Sequence, residues 1–302
     1  MPAFNEALTL EPNMQTLLAY LESSMAGSYE VLIVDDGSVD QTGAIALSIA
    51  AAHSAVKVGH HASNRGLDAA VRTGVEMASG DYVVVWDADL TYATDTIGAL
   101  ISAAQDHSCD IVLASAYMRG GESTAVPFLR RWLSRGANWF LSLAVHGEFA
   151  TLTCMVRVYR RAILNDLLML FPHTGTTFEL LLAAKAHGAV IHEIPAHLDW
   201  SKQDASRQKR VAPVRLVKSA MHVVRAAVRY RPAILLAIPG LFPGLLPLVV
   251  ATAVLLHQPV RTVSYIAMIT MIVQYSSLLA FSWQLRAFFT KLFEKRRVMS
   301  LD

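Results

Sequence analysis

From Pro232 to Leu256 the sequence carries no charged side chain, and after the short link His257 to Arg261 a second uncharged stretch runs from Thr262 to Leu285. Each run exceeds the ~20 residues an α-helix needs to cross the hydrocarbon of a bilayer. The pair therefore reads as a two-helix transmembrane hairpin in preference to two buried core helices. Arg225, Arg229 and Arg231 precede the first run, and Lys291, Lys295, Arg296 and Arg297 follow the second. Cations at both flanks put both ends, and with them the body of the chain, on the cytoplasmic side of a multi-pass membrane protein. Pro239, Pro243 and Pro247 are expected to kink or break the first span.

Charge divides the chain in three. Residues 1–201 hold 11 Lys and Arg against 21 Asp and Glu, whereas residues 202–231 hold 9 against 1. Such a basic belt suits nucleic acid or an anionic membrane surface, and the uncharged runs that follow it favour the membrane and argue against nucleic acid. Between Pro213 and Tyr230, apolar Val214, Leu216, Val217, Met221, Val224 and Val228 interleave with Arg215, Lys218, Arg225 and Arg229 at roughly helical spacing. That pattern fits an interfacial amphipathic helix, and also the solvated basic face of an ordinary one. The expected organisation is a catalytic domain over 1–201, a juxtamembrane amphipathic segment over 202–231, and a hairpin with a basic tail over 232–302. Two cysteines, Cys109 and Cys154, make no disulfide framework.

The acidic body alternates strand and helix patterns, which indicates an α/β sheet. Strand-like runs occur at Tyr29 to Val34, Val56 to Gly59, Tyr82 to Trp86 and Asp110 to Ala114, with helical patterns at Asp40 to His53, Gly66 to Ala78 and Thr94 to Asp106. Asp35-Asp36-Gly37-Ser38 closes the first strand and Asp87-Ala88-Asp89 closes the third. In open α/β sheets, ligands bind beyond the carboxyl ends of strands. Two carboxylates one residue apart repel unless a cation neutralises them, and a hard divalent ion does so while gripping a diphosphate. His60-His61 lies beside a strand without metal-site spacing, and reads as structural or surface.

These residues carry a resemblance. Pro2-Ala3-Phe4-Asn5-Glu6, Val34-Asp35-Asp36-Gly37-Ser38 with Asp40 and Thr42, and Asn64, Gly66, Gly74, Gly80 and Asp81 leading into Asp87-Ala88-Asp89-Leu90 resemble the signatures of family 2 glycosyltransferases. The likeness is to the polyprenyl-phosphate branch typified by dolichol-phosphate-mannose synthase, and it continues through Phe178-Glu179-Leu180 and Glu193-Ile194-Pro195 to the two uncharged runs. The resemblance implies a GT-A (Rossmann-like) mixed sheet flanked by helices. Pro2, Phe4, Glu6 and Asp36 would line a nucleoside pocket that Asp35 helps to shape, and Asp87 and Asp89 would hold Mg²⁺ or Mn²⁺ against a nucleotide-sugar diphosphate. In that family an apolar strand precedes the first motif, whereas this sequence opens at Met1-Pro2. An upstream strand or an incomplete sheet is the expectation.

A phosphate acceptor is already anionic near neutral pH, so positioning and charge control matter more than a strong base. That directs attention to Arg130, Arg131 and Arg135 with Ser134. The resemblance implies that Arg130 and Ser134, one helical turn apart, contact the acceptor phosphate; an exposed basic face against lipid headgroups is the simpler reading. Thr91 replaces the family's usual Gln, and Ala116 replaces an Arg. The expected activity is inverting transfer of a sugar to a polyprenyl phosphate, dolichyl or undecaprenyl, with Asp89, Arg130 and Ser134 as the catalytic group. The alternatives are a family 2 transferase with another acceptor, and a membrane adaptor that binds a nucleotide sugar without turnover.

Overall fold

The computed structural model describes residues 1–144, 147–170 and 178–202, together with ten positions between 268 and 286. By contact density the chain divides into a unit of Met1–Arg135 with Ala150–Ala212, and a unit of Gly136–Phe149 with Pro213–Asp302.

The first unit is a layered α/β body. Its elements run β1 (Pro2–Ala3), α1 (Leu10–Met25), β2 (Val31–Asp35), α2 (Thr42–Ala52), β3 (Val56–His60), α3 (Leu67–Met77), β4 (Tyr82–Val85), α4 (Thr96–Asp106), β5 (Ile111–Ser115) and β6 (Glu122–Thr124). Helix α5 (Phe128–Ala144) leads on toward β7 (Arg157–Arg160), α6 (Arg161–Leu170), α7 (Phe178–Ala186), β8 (Ile191–Pro195), β9 (His197–Asp199) and a 3₁₀ turn at Trp200–Lys202. Strands β1, β2 and β3 pair in parallel, in that order. A second sheet has the order β4-β7-β5-β8, with β7 antiparallel to both neighbours and β5 parallel to β8. Strands β6 and β9 form a small parallel pair.

Patterning accounts for these elements. Every residue of β5 is buried, as a strand covered on both faces requires. Helix α1 buries Leu10, Met14, Leu17, Leu18 and Leu21, a single stripe at helical spacing. Helix α3 packs on β2 and α4 on β5. Between β1 and β2 on one side and β4 on the other lies an apolar cavity of about 190 Å³, bordered by Leu17, Leu21, Val31, Val75, Val85 and Trp86.

The strands and helices expected before residue 115 all form, with ends shifted by no more than two residues. Strand β7 had no counterpart in the sequence pattern, because its ends are arginines. Arg157 is nonetheless fully buried, and its guanidinium Nη2 donates to the Leu152 carbonyl at 2.6 Å. The amphipathic segment Pro213 to Tyr230 and the run 232–256 lie outside the described residues. In the run 262–285 only scattered positions are described, helical and exposed. Among the described residues, no helix is long and apolar enough to cross a membrane.

Candidate functional site

The carboxyl ends of β1, β2, β3 and β4 gather the acids singled out in the sequence. Pro2 pairs with Val34 and borders the apolar cavity, while Phe4, two residues on, is 40% exposed. Asn5 takes a left-handed conformation at φ 57°, which Asn tolerates better than most residues. The turn is locked to the next loop: the Asn5 N–H donates to Ser38 Oγ at 2.9 Å, and the Val39 N–H donates to Asn5 Oδ1 at 3.1 Å. Glu6 is buried, its N–H donating to Thr42 Oγ1 at 2.7 Å while its carboxylate accepts from Thr9 Oγ1 at 3.1 Å. The Thr42 hydroxyl donates in turn to Asp40.

Asp35 and Asp36 are both buried. Asp35 accepts from the Ser38 N–H at 3.0 Å and pairs with His60 Nδ1 at 2.9 Å. The Asp36 carboxylate meets His61 Nδ1 at 2.7 Å and accepts the N–H groups of Arg65 at 2.9 Å and Gly66 at 2.8 Å. An ionised carboxylate only accepts, so His61 carries its proton on Nδ1 and presents Nε2 to the Thr73 hydroxyl, 2.9 Å away. Asp36 thus fastens the loop between β3 and α3. Gly37 lets that loop pass: its φ is +68°, and a Cβ there would lie 2.3 Å from the Ser63 carbonyl carbon. His61, taken from the sequence as structural or surface, is a buried partner of the second acid.

Beyond β4, Trp86 is buried with its ring edge-on to Tyr92, and Asn13 Nδ2 of α1 donates to the Ala88 carbonyl at 2.8 Å. Leu90 turns the chain with φ 47°, its N–H reaching the Asp87 carbonyl at 3.3 Å, and the Thr91 N–H donates to Asp89 Oδ1 at 3.2 Å. This tight loop leaves Asp87 and Asp89 half-buried, one residue apart in the chain. Burial, reinforced by the charge of Asp89, pushes the Asp87 carboxyl up to about 7. A carboxyl that resists ionisation beside another is the electrostatic signature of a site awaiting positive charge. Two hard oxygen donors fit a divalent ion that takes its other ligands from phosphate and water. Among the described residues no cluster of three or more acidic, His or Cys side chains offers a closed protein cage instead.

The segment after this loop reaches the Arg cluster. Thr91 is buried, its carbonyl accepts the Asp199 N–H at 2.8 Å, and Tyr92 bridges to Leu198. Trp200 follows immediately, and the Arg130 guanidinium lies 4.0 Å from its ring centre; Arg135 lies 5.4 Å from that of Tyr117. Ser134 sits on α5 between them. On the same stretch of helix Phe128 and Trp132 are 76% and 67% exposed.

Two further residues shape this side without having been assigned a role from sequence. Glu193 is buried and takes the N–H groups of Ala150 and Thr151, the latter at 2.7 Å. Thr151 in turn meets Ser115 Oγ at 2.7 Å and accepts from the Tyr117 N–H at 3.3 Å. Trp200 is the other. An acid in the middle of an otherwise mostly apolar strand was the available signal for Glu193; nothing local marked Trp200. Glu179 stands in the first turn of α7. Burial pushes the Cys154 thiol up to about 11 and raises that of Cys109, so neither is an activated nucleophile.

Comparison with known proteins gives a consistent picture. The family described as glycosyl transferase family 2 matches residues 1–168. A dolichol-phosphate mannosyltransferase of Pyrococcus furiosus is 36% identical over 138 residues, 45% of this chain and 38% of that protein. A dolichyl-phosphate beta-glucosyltransferase of Trichomonas vaginalis is 26% identical over 246 residues, 76% of this chain and 70% of that one. The chain thus spans little more than a third of the archaeal relative. Among solved structures, glucosyl-3-phosphoglycerate synthase from Mycobacterium tuberculosis, crystallised with Mn²⁺, UDP and phosphoglyceric acid, superposes with a TM-score of 0.55 at 16% identity over 76% of each chain. That likeness speaks for the GT-A-like fold.

Proposed function

Because the chain belongs to glycosyl transferase family 2 and is a glycosyltransferase, we propose that it moves a sugar from a nucleotide donor to a polyprenyl phosphate at the cytoplasmic membrane face. The observation that carries this reading is the Asp87 and Asp89 pair just beyond the end of β4, with the Asp87 carboxyl pushed up by burial and by its neighbour. The relatives' names support a lipid-phosphate acceptor, and because one is a mannosyl- and the other a glucosyltransferase, the sugar is left unassigned.

In this reading Asp87 and Asp89 hold Mg²⁺ or Mn²⁺ against the donor diphosphate. The bound ion supplies charge stabilisation for the departing nucleoside diphosphate. Pro2, Phe4 and Glu6 border the nucleoside, and Asp35 and Asp36 fix the loops around it. Arg130 and Ser134 bind the acceptor phosphate. An acceptor phosphate oxygen attacks the anomeric carbon as the bond to the diphosphate breaks, with inversion, and no protein base is required because the nucleophile is already anionic. Exposed Phe128 and Trp132 beside Arg131 and Arg135 suit a helix lying at lipid headgroups. The two uncharged runs supply the anchor.

Membranes bearing the protein, incubated with radiolabelled nucleotide sugars, polyprenyl phosphate and Mn²⁺, are expected to yield lipid-extractable label with at least one donor. No such label with any donor, from a sample that still binds nucleotide sugar, would leave the adaptor reading. Arg130→Ala is expected to raise the acceptor KM on the order of tenfold or more, the scale of one charge-assisted contact, with donor affinity unchanged by calorimetry.

A further inference from the structure

Resting on that reading, we infer that Trp200 is a positioning residue for the acceptor phosphate: it stacks beneath the Arg130 guanidinium and links it through β9 to the Asp87–Asp89 loop. Three observations carry this.

The first is the nature of the contact. Arg130 lies 4.0 Å from the Trp200 ring centre, and among the described residues it has no ion pair or hydrogen bond. A stacked guanidinium is held by its face, while its five N–H groups point outward in the plane and stay available. A carboxylate partner would spend those donors and cancel the charge. An aromatic partner holds the arginine in place and leaves it competent to grip a phosphate bidentately.

The second is that the acid next to Trp200 in the chain is held elsewhere. Asp199 precedes Trp200, yet its Oδ1 accepts from Ser201 Oγ at 2.7 Å, the Ser201 N–H at 3.0 Å and Thr124 Oγ1 at 3.4 Å. The turn at Trp200–Lys202 thus folds back on Asp199, and the indole is left 8% exposed.

The third is connectivity. The Asp199 N–H donates to the Thr91 carbonyl at 2.8 Å, and Leu198 bridges to Tyr92. Thr91 itself donates its N–H to Asp89. From the metal-side carboxylate to the Arg130 guanidinium the path therefore runs Asp89, Thr91, Asp199, Trp200, through hydrogen bonds, one peptide link and one ring contact. A cation meant for the acceptor is mounted on the strand that also braces the donor loop. The ligand it suits is a phosphate monoester, whose two charges and three oxygens match an arginine fork.

Trp200→Leu and Trp200→Phe, in the full chain, distinguish this from mere packing. With a short-chain prenyl monophosphate as acceptor, Trp200→Leu is expected to raise acceptor KM about tenfold while the donor dissociation constant stays within twofold, and Trp200→Phe to recover most of the loss. Arg130→Ala made on top of Trp200→Leu should add little, because both remove one device. Equal losses in donor and acceptor affinity, or additive effects in the double variant, would overturn the assignment. If wild type itself binds no prenyl monophosphate in a calorimetric titration, the acceptor reading fails; if wild type binds and Trp200→Leu binds equally well, only the role of Trp200 fails.

Discussion

Asp87→Asn is expected to make the metal-free protein more heat-stable while removing its turnover. The Asp87 carboxyl is pushed from 3.8 up to about 7, mainly by burial and next by Asp89. Between these values the folded state holds a proton that the unfolded chain has released. Stability of the metal-free protein therefore falls as pH rises from about 4 to 7 and is level above that. The shift corresponds to a penalty on the order of 4 kcal/mol at its fullest. Asn carries no charge to desolvate and leaves Asp89 without a like-charged neighbour. A gain of roughly 5–10 °C in melting temperature at pH 8, shrinking toward zero near pH 4, is the expected result. The same substitution removes the negative charge from one of the two ion-holding side chains, so Mn²⁺-dependent transfer should drop by about a thousandfold, on the scale of a lost charge-stabilising group. In the wild type, protons compete for the site, and apparent Mn²⁺ affinity should weaken about tenfold for each pH unit below 7. Thermal scans by circular dichroism and calorimetric Mn²⁺ titrations across pH 5 to 8 check both halves.

Asp36→Ala should act in the opposite sense on stability. The buried carboxylate serves His61 and the N–H groups of Arg65 and Gly66. Leaving the buried His61 and two part-buried N–H groups without their acceptor costs on the order of 2–3 kcal/mol. The loop between β3 and α3 should lose amide-exchange protection before the rest of the sheet, and donor binding should fall with it. Asp36→Asn keeps one acceptor oxygen and is expected to recover part of the stability. Hydrogen exchange over residues 61–66, set beside exchange over β5, is the direct readout.

The strand-end acids were legible because each follows a run of apolar residues, so the residue type and the place where the strand stops are both local facts. Helix α3 was framed by Gly66 at its start, whereas α1 was not read from the sequence although its apolar stripe is local. What stayed hidden depended on register between distant segments. Strands β2 and β3 pair so that Asp35 stands opposite His60, and this alone brings His61 to Asp36; in sequence the two histidines look like loop residues. Strand β7 was obscured because a fully buried Arg157 breaks the rule that inner strands are apolar, its guanidinium being met by the Leu152 carbonyl and the Tyr159 hydroxyl. Trp200 could not have been found locally, since its partner lies seventy residues upstream on α5. His61 and Trp200 are thus held by long-range pairing beside Asp36 and Arg130, residues that the sequence had singled out.

The pairing of Asp87 and Asp89 with a metal-bound diphosphate is tested most directly by calorimetric titration of nucleotide sugars into the purified protein, with and without Mn²⁺. The account predicts that Mn²⁺ tightens binding of the cognate donor roughly tenfold or more, about 1.4 kcal/mol, and that Asp89→Ala abolishes this gain while the circular dichroism spectrum is unchanged. Donor binding of equal strength in the two conditions, or a gain from Mn²⁺ that survives Asp89→Ala, would contradict it.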